Sequence, residues 1–392
     1  MKKKCIMAMV CLACSAGMQA QNNIEEILRS VEQHNKELQA QQQLTEAARM
    51  EVNLQNSLEG PSVSYSPFFS KDVSGVVSSE LVVSQGFDFP TLYAARSKAG
   101  KLQHSALNHQ QEEVRRTVLL NAKNLCLDLI FLNKKQALLS ERGKNADELL
   151  ALFQKRLEEG DAGVLEVNKI KMERMNVRTE VAQNEVAHRT ALQSLLALNG
   201  NMPLEFALKD YPAVAPVTDY NAVYDEVMAG DAVLLAADAA AQSAAKNVSV
   251  NRQNWLPKLE VGYRRNTSLG EKSNGFLIGG SLPLFNGRKK VKIAKAQAVG
   301  AQYQLDNARL QAEAQVQSRF NEVQQLQKTL QTYDVPLMYE TLGLLKEAVK
   351  AGQLSVIEYY TEADAVYRNL QAYMEVENQY QKLIAALYKH RL

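Results

Sequence analysis

No proline interrupts the chain between Pro90 and Pro203, and inside that interval apolar residues recur at Val114, Val118, Ala122, Leu125, Leu129 and Leu132 in steps of four and three. Such spacing lays one seam along a helix that packs against its neighbours in coiled-coil fashion. The interval predicts two helices, one over 91–159 and a return over about 164–198. At about 1.5 Å per residue the first extends on the order of 100 Å, longer than a globular core requires.

The same order of elements is written twice. Pro61-Ser62-Val63-Ser64-Tyr65 and Pro257-Lys258-Leu259-Glu260-Val261 each follow a helical stretch and open a strand-like one. Further on, Glu159-Gly160-Asp161-Ala162-Gly163-Val164-Leu165-Glu166 lines up with Ala351-Gly352-Gln353-Leu354-Ser355-Val356-Ile357-Glu358 at a similar offset. Residues 21–200 therefore read as a first structural repeat of helix, β-hairpin, long helix and return helix, and residues 220–392 as a second. The linker, 201–219, carries Pro203, Pro212 and Pro216. Helices are expected over 24–54 and 222–252 before the hairpins. In the second repeat the long helix is expected over 291–350 with a kink at Pro336, and its return over 356–388.

Four segments depart from helical periodicity: 62–69, 75–85, 258–266 and 276–284. Val63 and Tyr65 interleave with Ser62, Ser64 and Ser66, while Leu259, Val261 and Tyr263 interleave with Lys258, Glu260, Gly262 and Arg264. That is the apolar-out, polar-in alternation of a water-lined barrel wall. Polar turns at 70–72 and 267–274 join each pair into a hairpin. Beyond the leader no uncharged apolar run reaches the about 20 residues of a spanning helix, so any bilayer crossing needs a closed barrel. Single-chain barrels begin at about eight strands, so several copies must share one.

Lys2, Lys3 and Lys4, an apolar run over 5–13 and small residues over 15–20 read as a secretory signal peptide, residues 1–20, with the mature chain beginning at Gln21. Lipoprotein processing at Cys14 is the alternative. Losing the three lysines takes the formal charge from +2 to −1, a balance that excludes nucleic acid as a partner. Three of the four cysteines go with the leader, leaving Cys126, which is expected to be a small apolar residue on a packed helix face. Glu185 and His188 have the Glu-x-x-His spacing of a di-iron bundle, but the second copy that such a site needs is missing. No phosphate loop, zinc spacing or nucleophile elbow occurs, so the reading is a non-enzyme without cofactor or metal.

Trp255 precedes the third strand, and Phe87, Phe89 and Phe285 close the second and fourth, which gathers aromatics at one rim where water meets lipid. Arg288-Lys289-Lys290-Val291-Lys292 follows the fourth strand, echoed by Arg96, Lys98 and Lys101 after the second. Those positions suit the anionic headgroups of outer-membrane lipid on the periplasmic side.

The duplicated order, with Phe285-Asn286-Gly287-Arg288 after a strand and Gly352-Gln353-Leu354-Ser355 at a helix turn, resembles the TolC family of outer-membrane efflux proteins over essentially the whole mature chain. The resemblance implies a mostly α fold with a small β part. Three copies would form a homotrimer with a twelve-stranded outer-membrane β-barrel and a periplasmic α-helical tunnel of long antiparallel coiled-coil helices. It also implies a passive exit duct for small molecules or ions, joined to a periplasmic adaptor and an inner-membrane transporter. The family includes exit ducts for secreted polypeptides, and a periplasmic coiled-coil scaffold whose hairpins stay out of lipid is a third reading.

In that family a Gly followed by an apolar residue and a Ser or Thr meets the adaptor at the periplasmic tip. Gly352, Leu354 and Ser355 match. Gly160 matches at the first-repeat tip, where Ala162 and Gly163 depart from the pattern. Glu166 and Glu358 stand where the family places acids near the closed end of the tunnel, the periplasmic aperture. Three such carboxylates about one axis would attract cations and raise one another's tendency to protonate. Thr361 and Leu354 stand in place of a second acid and a lock-forming Arg, so a salt-bridged gate is not implied here.

Overall fold

The structure, a computed structural model, describes residues 24–72, 74–268, 271–283 and 287–392. The expected leader with Cys14, and Phe285 at the rim, lie outside them. Helix α1 covers 24–34, followed by α2 (Lys36–Leu54), β1 (Ser62–Phe69), β2 (Val76–Phe87), α3 (Pro90–Glu159) and α4 (Val164–Leu198). The second repeat runs α5 (Tyr220–Gly230), α6 (Ala232–Gln253), β3 (Lys258–Ser268), β4 (Glu271–Ser281), α7 (Gly287–Gln331), α8 (Val335–Lys350) and α9 (Val356–Leu387), ending in a 3₁₀ turn, Lys389–Arg391. Helix pair, hairpin and return helix thus occur twice, and the single long α3 is matched in the second half by α7 and α8 in succession.

Two compact units cut across this order. One holds 24–40, Val114–Gly230 and Glu313–Leu392; the other holds Gln41–Glu113 and Asp231–Ala312. In the first, helical unit, the seam foreseen on α3 is buried at Val118, Ala122, Leu129 and Leu132. Three apolar clusters fill it. Leu149, Ile170, Val349, Val356 and Leu370 join α3, α4, α8 and α9; Val31, Ala122, Ile130 and Leu195 join α1, α3 and α4; Val223, Val323 and Leu387 join α5, α7 and α9. Cys126 lies fully buried in the second cluster, and burial pushes its thiol up to about 12, which removes the reactive thiolate.

Several expectations change. Single helices over 24–54 and 222–252 are each broken, at Asn35 and Asp231, which occupy equivalent places in the two repeats. Asn35 Oδ1 accepts from Leu38 N (3.0 Å) and Asp231 Oδ1 from Leu234 N (2.8 Å), so each side chain caps a new helix start. Pro336 does not kink a continuous helix. The helix stops at Gln331, Asp334 caps the next by accepting from Leu337 N (3.0 Å), and Pro336 sits in the first turn, where its missing N–H costs nothing. The stretch 201–219 links the repeats but is also a core strip, burying Tyr211 and Val217 and packing Leu204, Phe206 and Leu208 against the second cluster. Gly200 starts it at φ 63, where a Cβ would stand 2.5 Å from the His34 carbonyl oxygen. Only glycine fits both constraints.

The second unit carries one four-stranded antiparallel sheet in the order β1-β2-β3-β4. The pairings Val63↔Val83, Tyr65↔Leu81, Val83↔Tyr263, Val261↔Ile278 and Tyr263↔Phe276 place all these side chains on one face. Phe276 is 92% exposed and Ile278 86%. The other face carries Ser62, Ser64, Ser84, Glu260 and Arg264. There Ser62 and Ser84 share a 2.7 Å hydrogen bond, Ser84 donates to Glu260 Oε1 (2.6 Å), and Arg264 pairs with Glu80. Strand β4 begins at Glu271 rather than 276 and ends at Ser281 rather than 284. Lys272, Ser273 and Asn274, expected in a turn, pair with Thr267, Asn266 and Arg265, because a ladder is held by backbone groups whatever the side chains.

Candidate functional site

Two helix turns in the helical unit carry the tip residues. At the first, Gly160 has φ +82, with Gly160 N bonded to Leu157 O (3.2 Å) and Asp161 N to Arg156 O (2.7 Å). At the second, Gly352 has φ +76, with Gly352 N bonded to Val349 O (3.2 Å) and Gln353 N to Ala348 O (2.9 Å). Both are the double-bonded helix stop that a left-handed glycine permits. The turns are neighbours: Arg156 Nη2 donates to the Lys350 carbonyl (2.6 Å), tying the end of α3 to the end of α8. Sequence reasoning passed over Arg156, which carries no signal beyond a cation in the last turn of a helix.

The acids past the turns cap the return helices. Ser355 N and Oγ both donate to Glu358 Oε2 (2.9 and 2.8 Å), and Ser355 Oγ accepts from Glu358 N (3.2 Å). These bonds hold the Glu358 carboxyl below the usual carboxylate range. Within one chain the shift is opposite in direction to the rise expected of a carboxylate ring. At the first tip Gly163 N donates to Glu166 Oε2 (2.9 Å), but Gly163 has no hydroxyl to complete the exchange. Ser355-Val356-Ile357-Glu358 is a capping-box pattern, a signal present in the sequence itself. Around the turns Val164, Leu165 and Ile357 are exposed apolar residues, and Leu354 is half-buried.

Behind the tips one cation joins three helices. Arg142 on α3 pairs with Glu173 (2.6 Å) and Glu180 (3.2 Å) on α4 and with Asp364 (3.0 Å) on α9, and its guanidinium lies over the Tyr367 ring. Burial works against its charge, but the hydrogen bond to Glu173 and the three carboxylates outweigh it and raise its pKa. Glu173 is 4% exposed, so Arg142 is what makes a buried carboxylate tolerable.

In the sheet unit the rim residues fall where the strands join helices. Phe87 pairs with Leu259, and Phe87 and Phe89 are half-buried between β2 and α3. Trp255, between α6 and β3, is 66% exposed. Together with Arg288 in the first turn of α7 it lines a groove of about 440 Å³. The structure therefore brings Trp255 and Arg288 to one place, with Phe87 and Phe89 on the first-repeat side.

A paired set of long and return helices, a sheet with one apolar and one polar face, and two glycine tips define a recognisable whole. The family model described as outer membrane efflux protein matches residues 27–201 and 223–390. The chain belongs to the outer membrane efflux protein family. Like other members of this channel family, it is an outer-membrane protein that extends into the periplasm. Toxin and drug export protein A of Aggregatibacter actinomycetemcomitans is 24% identical over 257 residues, covering 62% of this chain and 54% of that relative. The chain thus spans just over half the length of that relative. A membrane protein from Pseudomonas aeruginosa superposes with a TM-score of 0.77 at 16% identity, covering 94% of this chain and 93% of its own. The outer membrane protein VceC of Vibrio cholerae superposes with a TM-score of 0.76 at 16% identity, covering 94% and 95%. At these identities the likeness establishes the shared fold, long helices with four strands per chain.

Proposed function

We propose that three copies of this chain close into a passive exit duct for small molecules or ions, fed by a periplasmic adaptor and an energised inner-membrane transporter. The observation that carries the reading is the sheet. It exposes a continuous apolar face, keeps a polar face behind it, and leaves β1 and β4 each with one unpaired edge. In lipid every unpaired backbone group costs several kcal/mol, so those edges need partners outside the chain. Strand directions alternate, so β4 of one copy meets β1 of the next antiparallel. Three copies supply twelve strands, within the range of closed barrels, with the Ser-rich, Glu260- and Arg264-bearing face lining water.

The tips supply the docking end. Gly352, Leu354 and Ser355, with Gly160 and Gly163 beside them, form the adaptor contact, supported by the exposed Val164, Leu165 and Ile357. Glu166 and Glu358 border the aperture, where copies of Glu358 from neighbouring subunits act against the Ser355 hydrogen bonds that lower its own carboxyl. Residues 21–200 and 220–392 are the duplicated halves that build each third of the duct.

The mature protein in detergent is tested by its mass and by planar-bilayer conductance. A trimer that conducts ions supports the duct; a monomer recovered free of membrane ends it. Leu354→Glu places a charge in the apolar tip contact and is expected to abolish adaptor-dependent efflux with the trimer intact; unchanged drug resistance would remove the tip assignment. Polypeptide export is the second reading, and the name of the Aggregatibacter relative couples toxin with drug export. A deletion strain separates the two: drug sensitivity points to efflux, and loss of one secreted protein points to polypeptide export.

A further inference from the structure

We propose that the second-repeat rim binds the phosphodiester headgroup of an anionic glycerophospholipid in the periplasmic leaflet, and that the first-repeat rim does not. The inference rests on the sheet being the membrane-spanning part. Arg252, Trp255, Arg288 and Lys292 line the groove of about 440 Å³ together with Asn251 and Pro283, and no acid is among the lining residues. Arg288 and Lys292 stand one turn apart on α7 and so share a helix face. Arg252 reaches in from the last turn of α6. Among the described residues none of these three cations has an ion-pair partner.

The duplication supplies an internal control. Superposing Pro61 on Pro257 sets Glu59 against Trp255, Asp88 against Leu284, Arg96 against Lys292, Leu92 against Arg288 and Asn56 against Arg252. In the first repeat the matching positions are paired or apolar, and the exposed Lys98 and Lys101 lie further along α3. Glu59 pairs with Lys258, Asp88 takes Arg96 at 2.7 Å, and Leu92 is buried against Ala99 and Val250. In the second repeat both acids have become apolar or aromatic, and a buried leucine and a neutral amide have become arginines. Positive charge has thus been gathered, without counter-charge, at the one rim that also presents an exposed tryptophan.

The chemistry of that set is specific. Guanidinium groups fork onto phosphate oxygens, and the lysine adds a point charge. An indole settles at the level of ester and glycerol groups. Every strand joins its helix at this end of the sheet, so the groove faces the periplasmic leaflet, and a diacyl lipid would place its phosphate among the cations with its chains along the apolar strand face.

Trp255 is the single tryptophan of the chain, so its fluorescence reports the groove directly. The full mature protein is reconstituted into phosphatidylcholine vesicles, and brominated phosphatidylglycerol or brominated phosphatidylcholine is added as quencher. At about 1 kcal/mol per interfacial cation, phosphatidylglycerol should quench at a roughly tenfold or greater lower mole fraction, an advantage that shrinks in high salt. Arg252→Gln, Arg288→Gln and Lys292→Gln together should reduce the preference to within about twofold, whereas Lys98→Gln with Lys101→Gln should leave it. Equal quenching of the wild type by both lipids, or a preference that survives the triple substitution, would overturn the site. Loss of the preference on adding millimolar inorganic phosphate would assign the groove to free phosphate instead and overturn the lipid assignment. Quenching by neither lipid would strike the membrane placement of the sheet itself, an outcome distinct from failure of the headgroup site alone.

Discussion

The helical unit and the sheet unit are built to opposite rules. The first buries its apolar residues in three clusters and matches its buried charges within the chain, as Arg142 does with Glu173, Glu180 and Asp364. The second has one small cluster, Leu92, Ala99 and Val250, and leaves Val63, Tyr65, Val261, Phe276 and Ile278 in the open. A soluble protein seldom leaves so continuous an apolar surface uncovered. One unit therefore covers most of its apolar residues within a single chain, and the other leaves an apolar face and two strand edges uncovered.

The contrast can be broken first at Arg142. Arg142→Met strands Glu173 as a buried unpaired carboxylate and should cost about 3–5 kcal/mol of helical stability. Denaturant unfolding followed by circular dichroism measures it, and a loss below about 1 kcal/mol would show the network to be a surface feature. Next comes Ile278→Lys, which should leave that helical transition where it is yet weaken insertion into vesicles by about 2–4 kcal/mol. If the same change lowers helical stability in detergent, Ile278 is packed against protein and the division between the units is wrong.

Smaller effects compare the two tips. Ser355→Ala removes one half of the capping exchange with Glu358 and should cost about 0.5–2 kcal/mol, while Gly163→Ser supplies the missing hydroxyl and should gain a few tenths. Gly163 already has an extended backbone, φ −89 and ψ 152, which serine adopts freely. Thermal melts of the pair with opposite signs would confirm that the tips differ by this one group. The smallest effect is Glu226, whose hydrogen bonds from Arg391 and His390 hold its carboxyl down to about 2 from 4.5. A depressed carboxyl stabilises above its unfolded value and ceases to do so as pH falls through the folded one. A modest decline between pH 4.5 and about 2 is therefore expected, reduced further by added salt because the pair is exposed. Glu226→Gln should flatten it.

Regular periodicity made much of this architecture legible. The seam of α3 and the bounds of α4 and β1 follow directly from where apolar residues fall and where proline and glycine stop them. Polar capping was harder to see: Asn35, Asp231 and Asp334 each break a run that looks continuous, because Asn or Asp inside an otherwise helical pattern signals nothing until its side chain is seen to accept from the N–H three residues on. Strand β4 was cut short for the same reason in another guise, since Lys272 and Ser273 join the ladder through their backbones. At the tips the glycines announce the turns, but an acid placed where a charged ring is expected hides the capping role of Glu358. Arg142 and Arg156 act through partners more than twenty residues away in the chain, a kind of contact that spacing alone does not record.

The strand count per chain is even, and its first and last members run in opposite directions. A meander of that parity can be laid edge to edge any number of times without ever bringing two like-directed strands together. The hydrogen-bond pattern at such seams is thus indifferent to stoichiometry, and antiparallel pairing alone does not set how many copies the proposed barrel takes.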